Sequence, residues 1–79
     1  MQVEVRVFAT LRRYLPELEV GGALALEVGP GTTLGALRDT LGLPPEEVRI
    51  VMRNRVQADW QDTVQEGDRI AFVPAMAGG

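Results

Sequence analysis

The sequence contains no cysteine, no histidine and no lysine, and all 8 of its basic residues are arginine. Without cysteine and histidine it cannot build a zinc site of the usual ligand type, a cysteine-ligated iron–sulfur cluster, or a Ser-His or Cys-His nucleophile pair. Without lysine it cannot form a side-chain Schiff base. Disulfides are also impossible, which is compatible with the cytoplasmic location that we expect. The composition therefore argues against an autonomous enzyme and predicts no resident metal.

Size and charge narrow the class of partner. A chain of 79 residues forms one small domain at most, and most of its apolar residues are needed for the core. Its net charge of −3 argues against a nucleic-acid partner. The apolar stretches are too short to span a bilayer, and the start of the chain lacks the pattern of a signal peptide. Any functional site is therefore expected to be small or shared with a partner protein.

Alternation of apolar and polar residues predicts five strands. In the first strand, Val3, Val5 and Val7 face inward. Phe8 follows them on the polar parity, which leaves two interpretations: it folds under the next segment, or it is an exposed contact on the outer face of the sheet. The other predicted strands cover Ala23–Val28, Val48–Met52, a short stretch near Val56, and Arg69–Val73. In the last of these, Ile70 and Phe72 share one face, whereas Ala71 and Val73 share the other.

Leucines at helical spacing predict one main helix over Leu34–Leu41, with Thr32 or Thr33 as its N-cap and Gly42 after its C-terminus. The preceding Gly29-Pro30-Gly31 is interpreted as a turn, because a phosphate-binding loop would need a lysine there. A short helical turn or a loop is predicted over Thr10–Leu15. One helix covers one face of the sheet, and the first and last strands are the most apolar. The order predicts an α+β, β-grasp domain over residues 1–73, with a mixed sheet whose central pair is the first and last strands.

The last six residues form a predicted flexible tail, Pro74-Ala75-Met76-Ala77-Gly78-Gly79. Glycine has no side chain, so a Gly-Gly end can pass through a narrow channel. Six extended residues reach about 20 Å, enough to carry the carboxylate of Gly79 into another protein's active site. A carboxylate is an unreactive acyl donor until it is adenylated. After that, a sulfur nucleophile can convert it to a thiocarboxylate.

Three motifs resemble the ubiquitin-like sulfur carriers of the MoaD/ThiS type, and the MoaD branch most closely. The run from Val5 to Arg12 is similar to that family's strand followed by Phe-Ala-x-x-Arg. The run from Gly67 to Pro74 is similar to its Gly-Asp-x-Val-Ala-x-x-Pro motif, and Gly78-Gly79 matches its terminal pair. Ala75 stands where the family often has a second proline, and Met76 stands where it more often has valine. Pro74 favours MoaD over ThiS.

The resemblance implies a reaction cycle with three partners. A MoeB-like, E1-type enzyme consumes ATP to adenylate Gly79, and a sulfurtransferase supplies sulfur; the carrier itself binds no cofactor. The tail residues Pro74, Met76, Ala77 and Gly78 then enter a MoaE-like large subunit of molybdopterin synthase. The resemblance also implies that Phe8, Arg12 and Val73 contact partners on the exposed side of the sheet.

Other functions fit the same residues. The carrier could serve thiamine synthesis or tRNA thiolation instead of molybdopterin synthesis. It could also be a ubiquitin-like modifier joined through Gly79 to lysines of other proteins, or a β-grasp binding module without tail chemistry. Only the tail chemistry and the partners distinguish these functions.

Overall fold

The computed structural model describes residues 1–16 and 22–74. The predicted tail residues Ala75, Met76, Ala77, Gly78 and Gly79 lie outside this part of the chain. In chain order, the elements are β1 (Gln2–Val7), a 3-10 helix (Ala9–Tyr14), β2 (Leu24–Glu27), α1 (Leu34–Thr40), β3 (Val48–Arg53), β4 (Val56–Ala58) and β5 (Arg69–Pro74). Every predicted strand and the predicted helix are present, with ends that shift by one or two residues.

The five strands form one mixed sheet in the order β2-β1-β5-β3-β4. The strands β1 and β5 are parallel neighbours at its centre, in a register that pairs Val5 with Ile70 and Val7 with Phe72. The other neighbouring strands are antiparallel. The prediction that the first and last strands form the central pair is confirmed.

The core lies between the sheet and α1. Val3, Val5 and Val7 are buried, as their alternation predicts, and Leu34 and Leu37 pack from the helix. The remaining buried apolar side chains of the described residues are Leu11, Leu43, Val48, Val51, Val64, Ile70 and Phe72. The alternation in the strands and the leucine spacing in the helix therefore both identify side chains that are buried in the same core.

The last strand is one residue longer than predicted. Pro74 pairs with Val48 and is buried, whereas the sequence analysis placed it at the start of the tail. Its ring has the parity of Ile70 and Phe72, so it continues the core face of β5. Pro74 therefore belongs to β5 in the part of the chain that the structure describes.

Local chemistry sets the ends of α1. The Thr33 hydroxyl accepts a hydrogen bond from the Ala36 N–H at 3.1 Å, which makes Thr33 the N-cap. Thr32, the other candidate, instead donates its hydroxyl to the Gly29 carbonyl at 2.7 Å. Gly42 has a φ of +76°, which matches its predicted place just beyond the helix C-terminus.

A side-chain network ties the β3–β4 hairpin to the start of β5. Asn54 and Arg55 both have positive φ, as a tight hairpin turn requires. The Asn54 amide donates to one carboxylate oxygen of the buried Asp68 at 3.0 Å, and the Gln65 N–H donates to the other at 2.8 Å. The Arg69 N–H donates to the Asn54 side-chain oxygen at 2.9 Å. The turn and the last strand are thus held in one register.

Trp60 packs against one edge of the core. The Trp60 ring stacks on that of Phe72 with centroids 6.0 Å apart. The guanidinium of Arg38, a residue of α1, lies 4.7 Å from the centroid of the Trp60 ring. The Gly35 N–H donates to the Trp60 carbonyl at 2.9 Å. A side-chain carbon at Gly35 would lie only 3.3 Å from that carbonyl oxygen, so the glycine permits this close approach.

In the described part of the chain, no helix is long and apolar enough to cross a membrane.

Candidate docking face

On the face of the sheet opposite α1 lie the side chains of each central strand that alternate with the buried ones. On β1 this parity gives Gln2, Glu4 and Arg6, which are exposed. Phe8 continues the same parity beyond the strand and is 45% exposed. Of the two interpretations of Phe8, the structure supports the exposed one. We call this surface the open face.

A shallow groove of about 400 Å³ runs along the open face. Its apolar lining comes from side chains of three regions that are far apart in the sequence: Phe8 after β1, Met52 on β3, and Ala71 and Val73 on β5. Ile70 also lines the groove. The parallel pairing of β1 with β5 and the antiparallel pairing of β3 with β5 bring these regions together.

Four charged residues also line the groove. Arg6 comes from β1, Arg55 from the hairpin turn and Arg69 from the start of β5. Glu4 also lines the groove, and its carboxylate lies 3.6 Å from the Arg69 guanidinium. The exposed side chains of this pair form a weak ion pair.

The structure brings two of the three predicted partner-binding residues together. Phe8 and Val73 line the same groove, and the Phe8 N–H donates to the Phe72 carbonyl at 3.3 Å, which fixes the end of β1 against β5. Arg12 lies on the 3-10 helix and does not line the groove. It is half-buried, and its Nε is buried without a hydrogen-bond partner among residues 1–16 and 22–74.

An ion pair anchors the 3-10 helix beside this region. The Arg13 guanidinium donates to Glu47 at 2.6 Å and to the Tyr14 hydroxyl at 3.0 Å. The hydrogen bond that Arg13 donates to the Tyr14 hydroxyl and the charge of Glu47 raise the pKa of Arg13 above its ordinary value. Tyr14 in turn donates its hydroxyl to Glu47 at 2.5 Å. This cluster sets the position of the turn that carries Arg12.

The groove reaches the end of β5, where the predicted tail departs. Val73 lines it, and Pro74 follows as the last described residue. The structure does not describe Met76, Ala77, Gly78 or Gly79, so their predicted roles in tail chemistry stay predictions. Among the described residues, no group of three or more acidic side chains is placed to hold a metal ion.

Sequence reasoning missed the contribution of β3 to this face. Between Val48 and Ile50 the pairing with β5 shifts register, so Val48 and Val51 are buried whereas Ile50 and Met52 turn toward the open face. A simple period of two assigns Val48, Ile50 and Met52 to one side. A bulge leaves no clear signal in a run of β-favouring residues. The sequence analysis also singled out none of Arg6, Arg55 and Arg69.

A five-stranded mixed sheet around one helix, with the first and last strands parallel at its centre, defines a ubiquitin-like β-grasp protein, and solved structures bear this out. Small archaeal modifier protein 1 of Haloferax volcanii is 21% identical, with a TM-score of 0.73 over 95% of this chain and 98% of that one. A putative molybdopterin converting factor subunit 1 from Pyrococcus furiosus is 16% identical, with a TM-score of 0.73 over 96% and 99%. In the complex of subunits 1 and 2 of the molybdopterin-converting factor from Helicobacter pylori, the matching chain is 24% identical, with a TM-score of 0.64 over all of both chains.

The sequence places the protein within this class. The ThiS family model matches residues 5–79, and the chain belongs to the ThiS family of ubiquitin-like sulfur carriers. No curated protein gives a significant match.

Proposed function

We propose that the protein carries sulfur on its C-terminal carboxylate as a thiocarboxylate. The single observation that carries this proposal is the family match, which extends through Gly78 and Gly79. The fold supports it, because β5 leads from the centre of the sheet directly to the start of the tail, beside the groove that contains Phe8 and Val73. The folded part would serve as the recognition surface and Gly79 as the reacting end.

The reaction needs enzymes that the carrier does not provide. A MoeB-like activating enzyme would join the Gly79 carboxylate to the α-phosphate of ATP, with release of pyrophosphate. The terminal sulfur of a sulfurtransferase persulfide would then attack the acyl carbon, forming a C–S bond as AMP leaves. A thiol of the partner enzyme would cleave the S–S bond of this acyl disulfide, which would release the thiocarboxylate and leave a disulfide on the enzyme. No side chain of the carrier is needed in any of these steps. The ATP, the sulfur and the catalytic groups would all come from cytoplasmic partners.

Within the family, we favour molybdopterin synthesis with a MoaE-like large subunit as the sulfur-accepting partner. The MoaD-like motifs and the shared fold with subunit 1 of two molybdopterin-converting factors support this pathway. The Helicobacter pylori protein is found in a complex with subunit 2, so a partner of that kind is our first candidate. Thiamine synthesis and tRNA thiolation use the same carrier chemistry and are distinguished by the acceptor.

Intact mass spectrometry tests the proposal. The full chain is incubated with a MoeB-like enzyme, ATP and a sulfur donor, and we expect a mass gain that equals the exchange of one oxygen for sulfur, located at Gly79. A Gly78→Val variant and a variant with one residue added after Gly79 should remain unmodified and melt at the same temperature as the parent. Absence of both adenylate and thiocarboxylate with enzymes that act on another carrier would refute the proposal.

Protein modification is the second candidate function. The fold shared with small archaeal modifier protein 1 favours it, since that protein has the same architecture over nearly all of both chains. In this case an amine of another protein would attack activated Gly79, and AMP would leave. Isopeptide-linked Gly79 remnants on cellular lysines would support this function. Full activity after removal of Gly78 and Gly79 would instead support a binding module without tail chemistry.

A further inference from the structure

The charge of the groove is opposite to that of the protein. The groove contains three of the 8 arginines and one of the 11 acidic residues, which gives it a formal charge of +2. The whole chain has a net charge of −3, so the rest of the sequence carries −5. The groove is therefore locally positive on a protein whose net charge is negative.

Two of these arginines are available to a partner. Arg69 is near Glu4, whereas neither Arg6 nor Arg55 forms an ion pair with any residue in the described ranges 1–16 and 22–74. Both are exposed. They stand beside an apolar lining that includes Phe8 and Met52. The groove thus combines an apolar lining with two arginines that have no ion-pair partner among the described residues.

We propose that the groove selects an acidic protein surface, whose apolar side chain fills the centre while its carboxylates pair with Arg6 and Arg55. This inference rests on the proposed docking role of the open face and specifies the chemistry of the partner. A rim of complementary charge accelerates association and excludes partners of the wrong sign. The apolar lining favours a protein over a nucleic acid, because an apolar side chain gains from covering Met52 and Val73 whereas a sugar–phosphate backbone does not.

A pair of synthetic peptides tests the selectivity of the groove without any partner enzyme. The full chain is titrated, with amide signals followed by NMR, with a blocked Glu-Leu-Glu-Leu-Glu peptide and with a blocked Lys-Leu-Lys-Leu-Lys peptide. We expect shifts near Arg6, Phe8, Arg55 and Val73 with the acidic peptide only. Arg6→Glu and Arg55→Glu should each weaken its binding roughly 10-fold, since each reversal replaces an attraction with a repulsion.

Arg49→Glu is the matched control. Arg49 is also exposed and lies on β3, yet it does not line the groove, so the same change of net charge should leave peptide binding within about 2-fold. Equal binding of the two peptides, or equal loss in all three variants, would overturn the inference. Single-stranded RNA that displaced the acidic peptide from the groove would overturn it as well.

A second titration separates this inference from the proposed function. The large subunit of a molybdopterin-converting factor replaces the peptide, and its affinity is measured at low and high salt. Binding that weakens with salt, and that Arg55→Glu weakens further, supports both the pathway and the acidic partner. Failure to bind this subunit while the acidic peptide still selects the groove would count against the molybdopterin pathway alone. Binding that is insensitive to salt and to Arg55→Glu would refute the acidic partner.

Discussion

Truncation of Phe8 to alanine measures how much the open face contributes to partner binding. A phenylalanine side chain buries about 200 Å² when it is fully enclosed. Because Phe8 is 45% exposed in the free protein, about 90 Å² of that area remains for a partner to cover. At roughly 25 cal/mol per Å², covering it contributes about 2 kcal/mol, or roughly 30-fold in Kd.

Val56 offers a matched control for this change. It is the other large apolar side chain that is exposed in the described part of the chain, at 67%, and it lies on β4 outside the groove. Calorimetric titration of the large subunit with both variants should show weaker binding for Phe8→Ala and a Kd within about 2-fold of the parent for Val56→Ala. Thermal melting of each variant alone reports any effect on the fold.

The combined results decide between docking and structural roles. Equal losses of affinity in the two variants would show that binding depends on apolar surface in general rather than on the groove. An unchanged Kd for Phe8→Ala together with a large drop in melting temperature would show that Phe8 supports the fold. Either result would refute the assignment of Phe8 to the docking face.

Three further predictions concern the fold. Asp68→Ala removes two hydrogen bonds to a buried carboxylate, so the free energy of unfolding should fall by about 3 kcal/mol and the melting midpoint by roughly 15 °C. When Asn54→Ala is combined with Asp68→Ala, it should lower the free energy of unfolding by less than it does in the parent, because the two residues share a hydrogen bond. If the two losses measured by urea denaturation were fully additive, the network would be contradicted. The ammonium of Met1, 2.8 Å away, lowers the pKa of Glu27 by a hydrogen bond and by its charge. The Glu27–Met1 ion pair therefore stabilises the fold fully above the ordinary pKa of a glutamate, and this stabilisation is lost as the pH falls through the lowered pKa of Glu27. Between these two pKa values, the stability of the Glu27→Gln variant should depend less on pH than that of the parent. Thr33→Ala should cost about 1 kcal/mol in urea denaturation through loss of the helix N-cap, and an unchanged midpoint would show that another group replaces the hydroxyl.

The parts of the fold that depend on short-range patterns could be read from the sequence. The alternation of Val3, Val5 and Val7 identified the core face of β1, and Gly42 marked the end of α1 because that position needs a positive φ. Strand parity alone also placed Phe8 and Val73 on the same side of the sheet. Each of these features is decided by the residue itself and its near neighbours.

The missed features depend on contacts between distant residues. The Asn54–Asp68 hydrogen bond joins residues 14 apart, and neither residue alone indicates its partner. The register shift in β3 comes from its pairing with β5, and it moves Met52 onto the open face. From the sequence, Pro74 is assigned to the tail. Its ring instead continues the core face of β5, since Pro74 lies opposite Val48 and needs no N–H to fill that space.

The central position of β5 has a consequence for synthesis of the protein. Because β1 and β3 both pair with β5, the first strand lacks one of its neighbours until the last strand has left the ribosome. Contacts that join the two ends of a chain form late in folding. A nascent or truncated chain that ends before β5 therefore has neither a complete sheet nor the groove. An activating enzyme that recognised the assembled groove would therefore act only on chains that include β5.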